Sequence, residues 1–325
     1  MRKIFKYSSY TLIVLILLLV VLLAYIKFAL PNVGPAPDLK IEITQDKIER
    51  GSYLANHVML CMDCHSTRDW NHFSGPMVAG TEGKGGEKFD QKLGFPGTYI
   101  APNITPFNLK TWTDGEIFRA VTEGVTKEGR ALFPIMPHHL YGQLDKKDIE
   151  SVIAYIRKLN PIESQNEISV SDFPMNFIIN TIPQKAVFSK IPDPSDKLSY
   201  GKYMITAAGC MDCHTRQEQG KFVGEPYAGG AEFKLPDGSI IRSANLTPDN
   251  ITGIGSWSSD AFVAHFKAYT DSSYVNPVVH PGNEQTIMPW TMYAGMNKED
   301  LEAIYTYLHN LKPVNNKVVK FTHAK

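Results

Sequence analysis

The chain has 325 residues and balances 33 Lys and Arg against 33 Asp and Glu, with 43% hydrophobic and 20% charged residues. That is ordinary globular composition, long enough for two domains of roughly 100–150 residues. A neutral chain with scattered basic residues lacks the electrostatic footprint of a nucleic-acid binder, so nucleic acid is excluded as a partner.

First in chain order come Arg2, Lys3 and Lys6, then a run from Leu12 to Ile26 in which only Tyr25 is polar. Residues 10–30 supply about 20 positions, enough to cross a hydrocarbon core of roughly 30 Å, and Lys27 snorkels at the far end. A cleaved signal peptide has a shorter apolar stretch and a small-x-small site, and Phe28-Ala29-Leu30-Pro31 makes a poor one. The expectation is a retained single-pass anchor in the cytoplasmic (inner) membrane, with membrane lipid as a partner. Residues 1–9 would be cytoplasmic, 10–30 transmembrane and 31–46 a linker. By the positive-inside rule everything beyond would lie on the periplasmic side.

The rest of the chain repeats itself. Cys61-Met62-Asp63-Cys64-His65 recurs as Cys210-Met211-Asp212-Cys213-His214, 149 positions later. Gly51-Ser52-Tyr53-Leu54 matches Gly201-Lys202-Tyr203-Met204, and Asn103-Ile104-Thr105-Pro106 matches Asn245-Leu246-Thr247-Pro248. Trp112-Thr113 matches Trp257-Ser258, and Ile135-Met136-Pro137 matches Ile287-Met288-Pro289. Each copy closes on an amphipathic pattern: Ile149, Val152, Ile153, Ile156 and Leu159 in one, Leu301, Ile304, Tyr305, Leu308 and Leu311 in the other. Those offsets put the apolar residues on one helical face. Asp145 and Asn297 are suited to the N-caps, Asp148 and Asp300 follow three residues on, and Pro161 and Pro313 prevent continuation. The domains are therefore 47–160 and 197–313, with a tail at 314–325. Between them 161–196 has no regular period and contains Pro174, Pro183, Pro192 and Pro194. It reads as an extended linker whose Phe173, Phe177, Ile178 and Ile179 pack on a domain.

The four cysteines all lie in the two Cys-x-x-Cys-His motifs. Such a motif presents two thiols for thioether bonds to haem vinyl groups and a histidine for one axial position on the iron. Cys61, Cys64 and His65 serve one haem, and Cys210, Cys213 and His214 a second. A zinc ribbon spaces its pairs by about 15–20 residues, and a thioredoxin-like dithiol needs a βαβ context; neither fits. The second axial ligand is assigned to Met136 and Met288, which follow His65 and His214 by 71 and 74 residues in matching Met-Pro loops. Met77, Met292 and Met296 are rivals without a counterpart in the other copy. His138 and His139 follow Met136 and are given a surface or propionate-side role, because the second copy has Trp290 and Thr291 there. The remaining histidines are unmatched and read as structural. Asn103, Asn245, Trp112 and Trp257 either meet haem propionates and pocket walls or serve turn and core. Asn103-Ile104-Thr105 fits a glycosylation pattern but recurs within a structural motif, and Gly80 to Gly86 lacks the spacing of a phosphate loop.

These motifs resemble class I cytochrome c domains: a Cys-x-x-Cys-His behind the first helix, a distal Met-Pro, and a last helix of the kind seen from Leu301 to Leu308. The Gly-x-Tyr-Leu, Asn-Ile-Thr-Pro, Trp112 and Ile-Met-Pro elements resemble more closely the cytochrome subunits of periplasmic alcohol, gluconate and aldehyde dehydrogenases. The resemblance implies an all-α fold, two tandem cytochrome c domains after an N-terminal transmembrane helix, and two covalently bound haem c groups. It implies a non-catalytic electron carrier, or the cytochrome subunit of an oxidoreductase complex. Donors would be a dehydrogenase subunit or quinol, and acceptors a soluble cytochrome or terminal oxidase. The alternative is a two-haem peroxidase, with Glu128 or His138 recruited beside an open iron; the symmetric Met-Pro pair argues against it.

Overall fold

The computed structural model describes residues 2–280 and 282–324. Helix α1, Arg2–Phe28, has the length and composition to cross a membrane, with mean hydropathy reaching 2.9 within Lys3–Phe28. Leu15, Leu18 and Val21 stand exposed, so the folded part of the chain does not cover them. The helix starts before Tyr10 because nothing from Lys3 to Ser9 breaks it.

Among the described residues six further helices have nine or more residues. They are α2 Gln45–Tyr53, α3 Asp114–Glu123, α4 Lys146–Ile156, α5 Lys197–Ala207, α6 Ser259–Lys267 and α7 Lys298–His309. Helix α2 packs on α4, and α5 packs on α7. Both crossings are backbone-close. A methyl group on Gly51 would lie 1.9 Å from the Ser151 carbonyl oxygen, and one on Gly201 would lie 1.9 Å from that of Ala303. Only glycine allows that approach, which is why it recurs ahead of Tyr53 and Tyr203. The periodic apolar faces supply the core: Ile149, Val152, Ile153, Leu301 and Leu308 are essentially inaccessible. Asp145 caps α4 by accepting from the Lys147 amide, whereas Asn297 holds the cap position of α7 without a side-chain bond.

The fold is mostly helical but not all-α. Antiparallel ladders join β1 Lys88–Phe89, β2 Gly97–Ile100 and β3 Val170–Ser171, then β4 Gln217–Glu218 with β5 Lys221–Phe222, then β6 Glu232–Lys234, β7 Ile240–Arg242 and β8 Phe321–Thr322. Long Gly- and Pro-rich loops must satisfy their backbone groups, and folding back as short hairpins does so. Strands of two to four residues are too short to leave an alternation in sequence. In each half the chain leaving the last helix returns to the hairpin edge, as β3 on β2 and as β8 on β7.

The halves meet through reciprocal bonds. The Tyr203 hydroxyl donates to Asp148 Oδ2 at 2.7 Å and accepts from the Asp145 amide at 3.1 Å. The Tyr53 hydroxyl donates to Asp300 Oδ2 and accepts from the Asn297 amide at 3.1 Å. Each half thus offers the tyrosine of its first helix to the start of the other's last helix. The buried carboxylates differ in their second partner: Arg50 forks onto Asp148 at 2.8 and 2.9 Å, while Tyr200 donates to Asp300 at 2.9 Å.

Candidate haem sites

Each Cys-x-x-Cys-His segment is a short helical turn entered through a left-handed residue, Leu60 (φ 54°) before Cys61 and Gly209 (φ 66°) before Cys210. Gly209 takes this conformation freely, whereas Leu60 pays a steric cost. In the first half a π-helical turn, Leu54–Val58, precedes it, a distortion often found at functional sites. None of the four cysteines is paired in a disulfide. Among the described residues no three His, Cys, Asp or Glu side chains converge.

His65 Nδ1 pairs with the Pro102 carbonyl at 2.8 Å, and His214 Nδ1 with the Ala244 carbonyl at 2.8 Å. A carbonyl only accepts, so Nδ1 carries the proton in both rings and Nε2 keeps its lone pair. Burial lowers both pKa values, which also favours neutral imidazole. A neutral, oriented imidazole beside two free thiols is the donor set that a covalently held haem requires. The main chain after each histidine matches as well: Gly85 N donates to His65 O and Gly229 N to His214 O.

Met136 and Met288 lie half-buried in loops against the apolar core, where Cys61 and Cys210 also pack. Met292 and Met296 are buried core residues. Past each loop methionine the chain makes an inverse γ-turn. Met136 O accepts from His138 N at 2.7 Å across Pro137 (φ −79°, ψ 52°), and Met288 O accepts from Trp290 N at 2.9 Å across Pro289 (φ −82°, ψ 66°). Proline fixes φ and so holds the backbone that carries the thioether.

Sequence reasoning missed the residues that join the methionine side to the cysteine side. The Tyr141 hydroxyl donates to Met59 O at 2.6 Å, and that of Tyr293 to Ala208 O at 2.5 Å. Each tyrosine lies five residues past its methionine, and each carbonyl two residues before its first cysteine. The signal was present, since Tyr recurs at the same offset in both copies. Both phenols are buried, which raises their pKa well above the ordinary value of 10.

Asn103 and Asn245 serve the backbone. Each Oδ1 accepts from the amide and hydroxyl of Thr105 or Thr247, and each Nδ2 donates at 2.8 Å to Ile162 O or Val314 O. They pin the chain that leaves the last helix. The tryptophans also lend main-chain carbonyls to that helix: Arg157 donates to Trp112 O and Tyr305 to Trp257 O. His138 is not at the surface. It is 1% exposed, its ring lies over Gly124, and its Nε2 has no partner among the described residues. Burial and neighbouring His139 lower its pKa to about 4.

The surroundings of the two motifs differ. Burial raises Asp63 to about 6 while Arg68, at 3.0 Å, pulls it down. Arg68 also stacks on Trp70 and donates to Ser74 O and Gly75 O. Asp212 instead pairs with His139 of the first half at 3.1 Å. Buried Ser74 reaches the opposite half: its Oγ donates to Met288 O at 2.6 Å and accepts from Trp290 N at 3.0 Å. The second methionine loop is thus held by the first half.

Residues 198–312 match the family model for cytochrome c. The chain is also 26% identical over 286 residues to the cytochrome c subunit of a quinone-dependent alcohol dehydrogenase from Gluconacetobacter polyoxogenes, covering 82% of this chain and 56% of that one. Residues 198–312 are thus a cytochrome c domain. The chain is similar too to the gluconate 2-dehydrogenase cytochrome c subunit of Pantoea cypripedii, 27% identical over 66% of this chain and 49% of that one. The fructose dehydrogenase cytochrome subunit of Gluconobacter japonicus is 26% identical over 68% and 44%. The chain spans about half the length of the curated relatives it matches. The match of residues 198–312 to the cytochrome c family implies covalently bound haem c.

Proposed function

We propose that this cytochrome carries two haem c groups, one per half, and relays electrons from a dehydrogenase or quinol to a downstream respiratory acceptor. Cys61, Cys64 and His65 would hold one group and Cys210, Cys213 and His214 the other, with Met136 and Met288 supplying the further donor to each. The observation that carries this reading is the matched donor set: two neutral imidazoles, each oriented through Nδ1 by a main-chain carbonyl, each with a proline-locked methionine loop tied back by a tyrosine. A haem held by these donors would supply one-electron chemistry, with no place left open for substrate. The protein's part is to hold both ligands and exclude water from the low-dielectric pocket. The unlike partners of Asp63 and Asp212, and the Ser74 brace on one loop only, give the two sites distinct potentials. Helix α1 holds both halves at the periplasmic face of the cytoplasmic membrane. The relatives, named as cytochrome subunits of dehydrogenases, support a dehydrogenase as donor.

The test replaces each methionine. Met136→Ala and Met288→Ala should each abolish the Fe–S charge-transfer band of one haem and lower its potential, leaving the other unchanged. A parent chain with high-spin, peroxide-reactive iron, or variants with the band intact, would overturn the ligand assignment.

A further inference from the structure

We propose that residues 173–184 form a second membrane contact, seated in the lipid interface beside helix α1. The proposal rests on the reading of α1 as a membrane anchor. The segment Phe173-Pro174-Met175-Asn176-Phe177-Ile178-Ile179-Asn180-Thr181-Ile182-Pro183-Gln184 contains no charged residue, in a chain that is 20% charged. Asp172 and Lys185 bound it. It was expected to pack on one of the globular halves. Instead its two short turns, Met175–Ile178 and Ile179–Thr181, lie against α1. On α1 the partly covered residues are Leu23 and Ile26, which share one face near the end where the helix leaves the hydrocarbon, and Leu30 just beyond the helix is partly covered too.

Phe173 is 81% exposed and Ile178 44% exposed, and the Phe173 and Phe177 rings meet edge to face at 6.5 Å. Large apolar side chains grouped in the open mark an interaction surface. Its occupant follows from position: a patch that abuts the last turns of a spanning helix lies at the depth of headgroups and upper acyl chains, where short apolar segments insert. The segment is also fixed to the first half. β3 pairs with β2, the Asp172 amide donates to Pro96 O at 3.0 Å, and Gln91 Nε2 donates to Asp172 Oδ2 at 2.7 Å. Two attachments, α1 and this patch, define how the first half is oriented on the bilayer, where a lone anchor followed by a linker would leave it free to swing.

The experiment uses the full haem-loaded chain, in which the native cysteines are consumed by thioether bonds. Single variants Phe173→Cys, Ile178→Cys, Leu18→Cys and Ile251→Cys are labelled with a nitroxide and reconstituted in phosphatidylcholine–phosphatidylglycerol vesicles. Power-saturation EPR then compares collision with oxygen and with a water-soluble nickel chelate. Leu18 reports the anchor, and Ile251, 85% exposed in the second half, reports water. The oxygen-to-nickel ratio at positions 173 and 178 should exceed that at 251 several-fold and fall below that at 18. Ratios at 173 and 178 equal to that at 251, with 18 lipid-buried, overturn the interface contact alone. A water-accessible position 18 overturns the anchor reading and the contact with it.

Discussion

The reciprocal tyrosines across the junction of the halves should be unequal in energy. Tyr53→Phe removes a hydroxyl that donates to Asp300 and leaves that buried carboxylate with one side-chain donor, Tyr200. A hydrogen bond to a charged group contributes about 1.5–3 kcal/mol. The freed Asn297 amide lies at an exposed helix start and recovers water, so the expected total is about 2–3 kcal/mol. Tyr203→Phe removes the equivalent bond from Asp148, but Arg50 still grips that carboxylate with two charge-assisted bonds. Its loss should cost only about 1–1.5 kcal/mol. Guanidinium unfolding of the detergent-solubilised chain, followed by haem absorbance, gives both values, and a Tyr53→Phe/Asp300→Asn double-mutant cycle should give a coupling of at least about 1 kcal/mol. Equal costs for the two tyrosines, or a larger one for Tyr203, would refute this account of the junction.

The helix crossings give a second expectation. Gly51→Ala or Gly201→Ala drives a methyl group into a main-chain carbonyl and should destabilise its half by about 1–3 kcal/mol or more, read as a lowered unfolding midpoint with reduced haem content. Ser74→Ala removes the brace on Met288 and should weaken the hold on that loop by about 1 kcal/mol, roughly fivefold in imidazole's displacement of the methionine, with no change at the Met136 site. At alkaline pH stability should fall once the medium passes about 10. Burial and the adjacent carboxylates raise Tyr53 and Tyr203 above that value, so the unfolded chain releases their protons first. The Tyr53→Phe/Tyr203→Phe chain should show a shallower decline between about pH 10 and 11, measured by denaturant midpoints.

Much of this molecule was legible in its sequence, in proportion to how local the determinant is. The Cys-x-x-Cys-His motifs, the apolar faces of α4 and α7, and the apolar N-terminal run are contiguous or periodic signals, and the structure places α4 and α7 where the signals fell and a long helix over the N-terminal run. The loop strands left no trace because a two-residue ladder has no period. The left-handed Leu60 is set by the turn it must make, and its side chain gives no warning. The Tyr–Asp exchange, the Tyr141 and Tyr293 ties and the Ser74 brace all depend on partners about 55 to 250 positions away. For the tyrosines the clue lay in the repeat: Tyr53 with Tyr203, Asp148 with Asp300, and Tyr141 with Tyr293 recur in register. Ser74 has no such counterpart and emerges only from the packing of one half on the other. The segment 173–184 misled for a related reason, because its apolar residues signal burial without specifying against what.

The central claim is that both halves hold haem. It is tested most directly by counting haem on the full chain purified from membranes, by pyridine haemochrome absorbance and intact mass together. Two covalent haems in the parent chain, and one in both Cys61→Ser/Cys64→Ser and Cys210→Ser/Cys213→Ser, is the predicted result. A single haem in the parent chain, or an undiminished count in either variant, would contradict it.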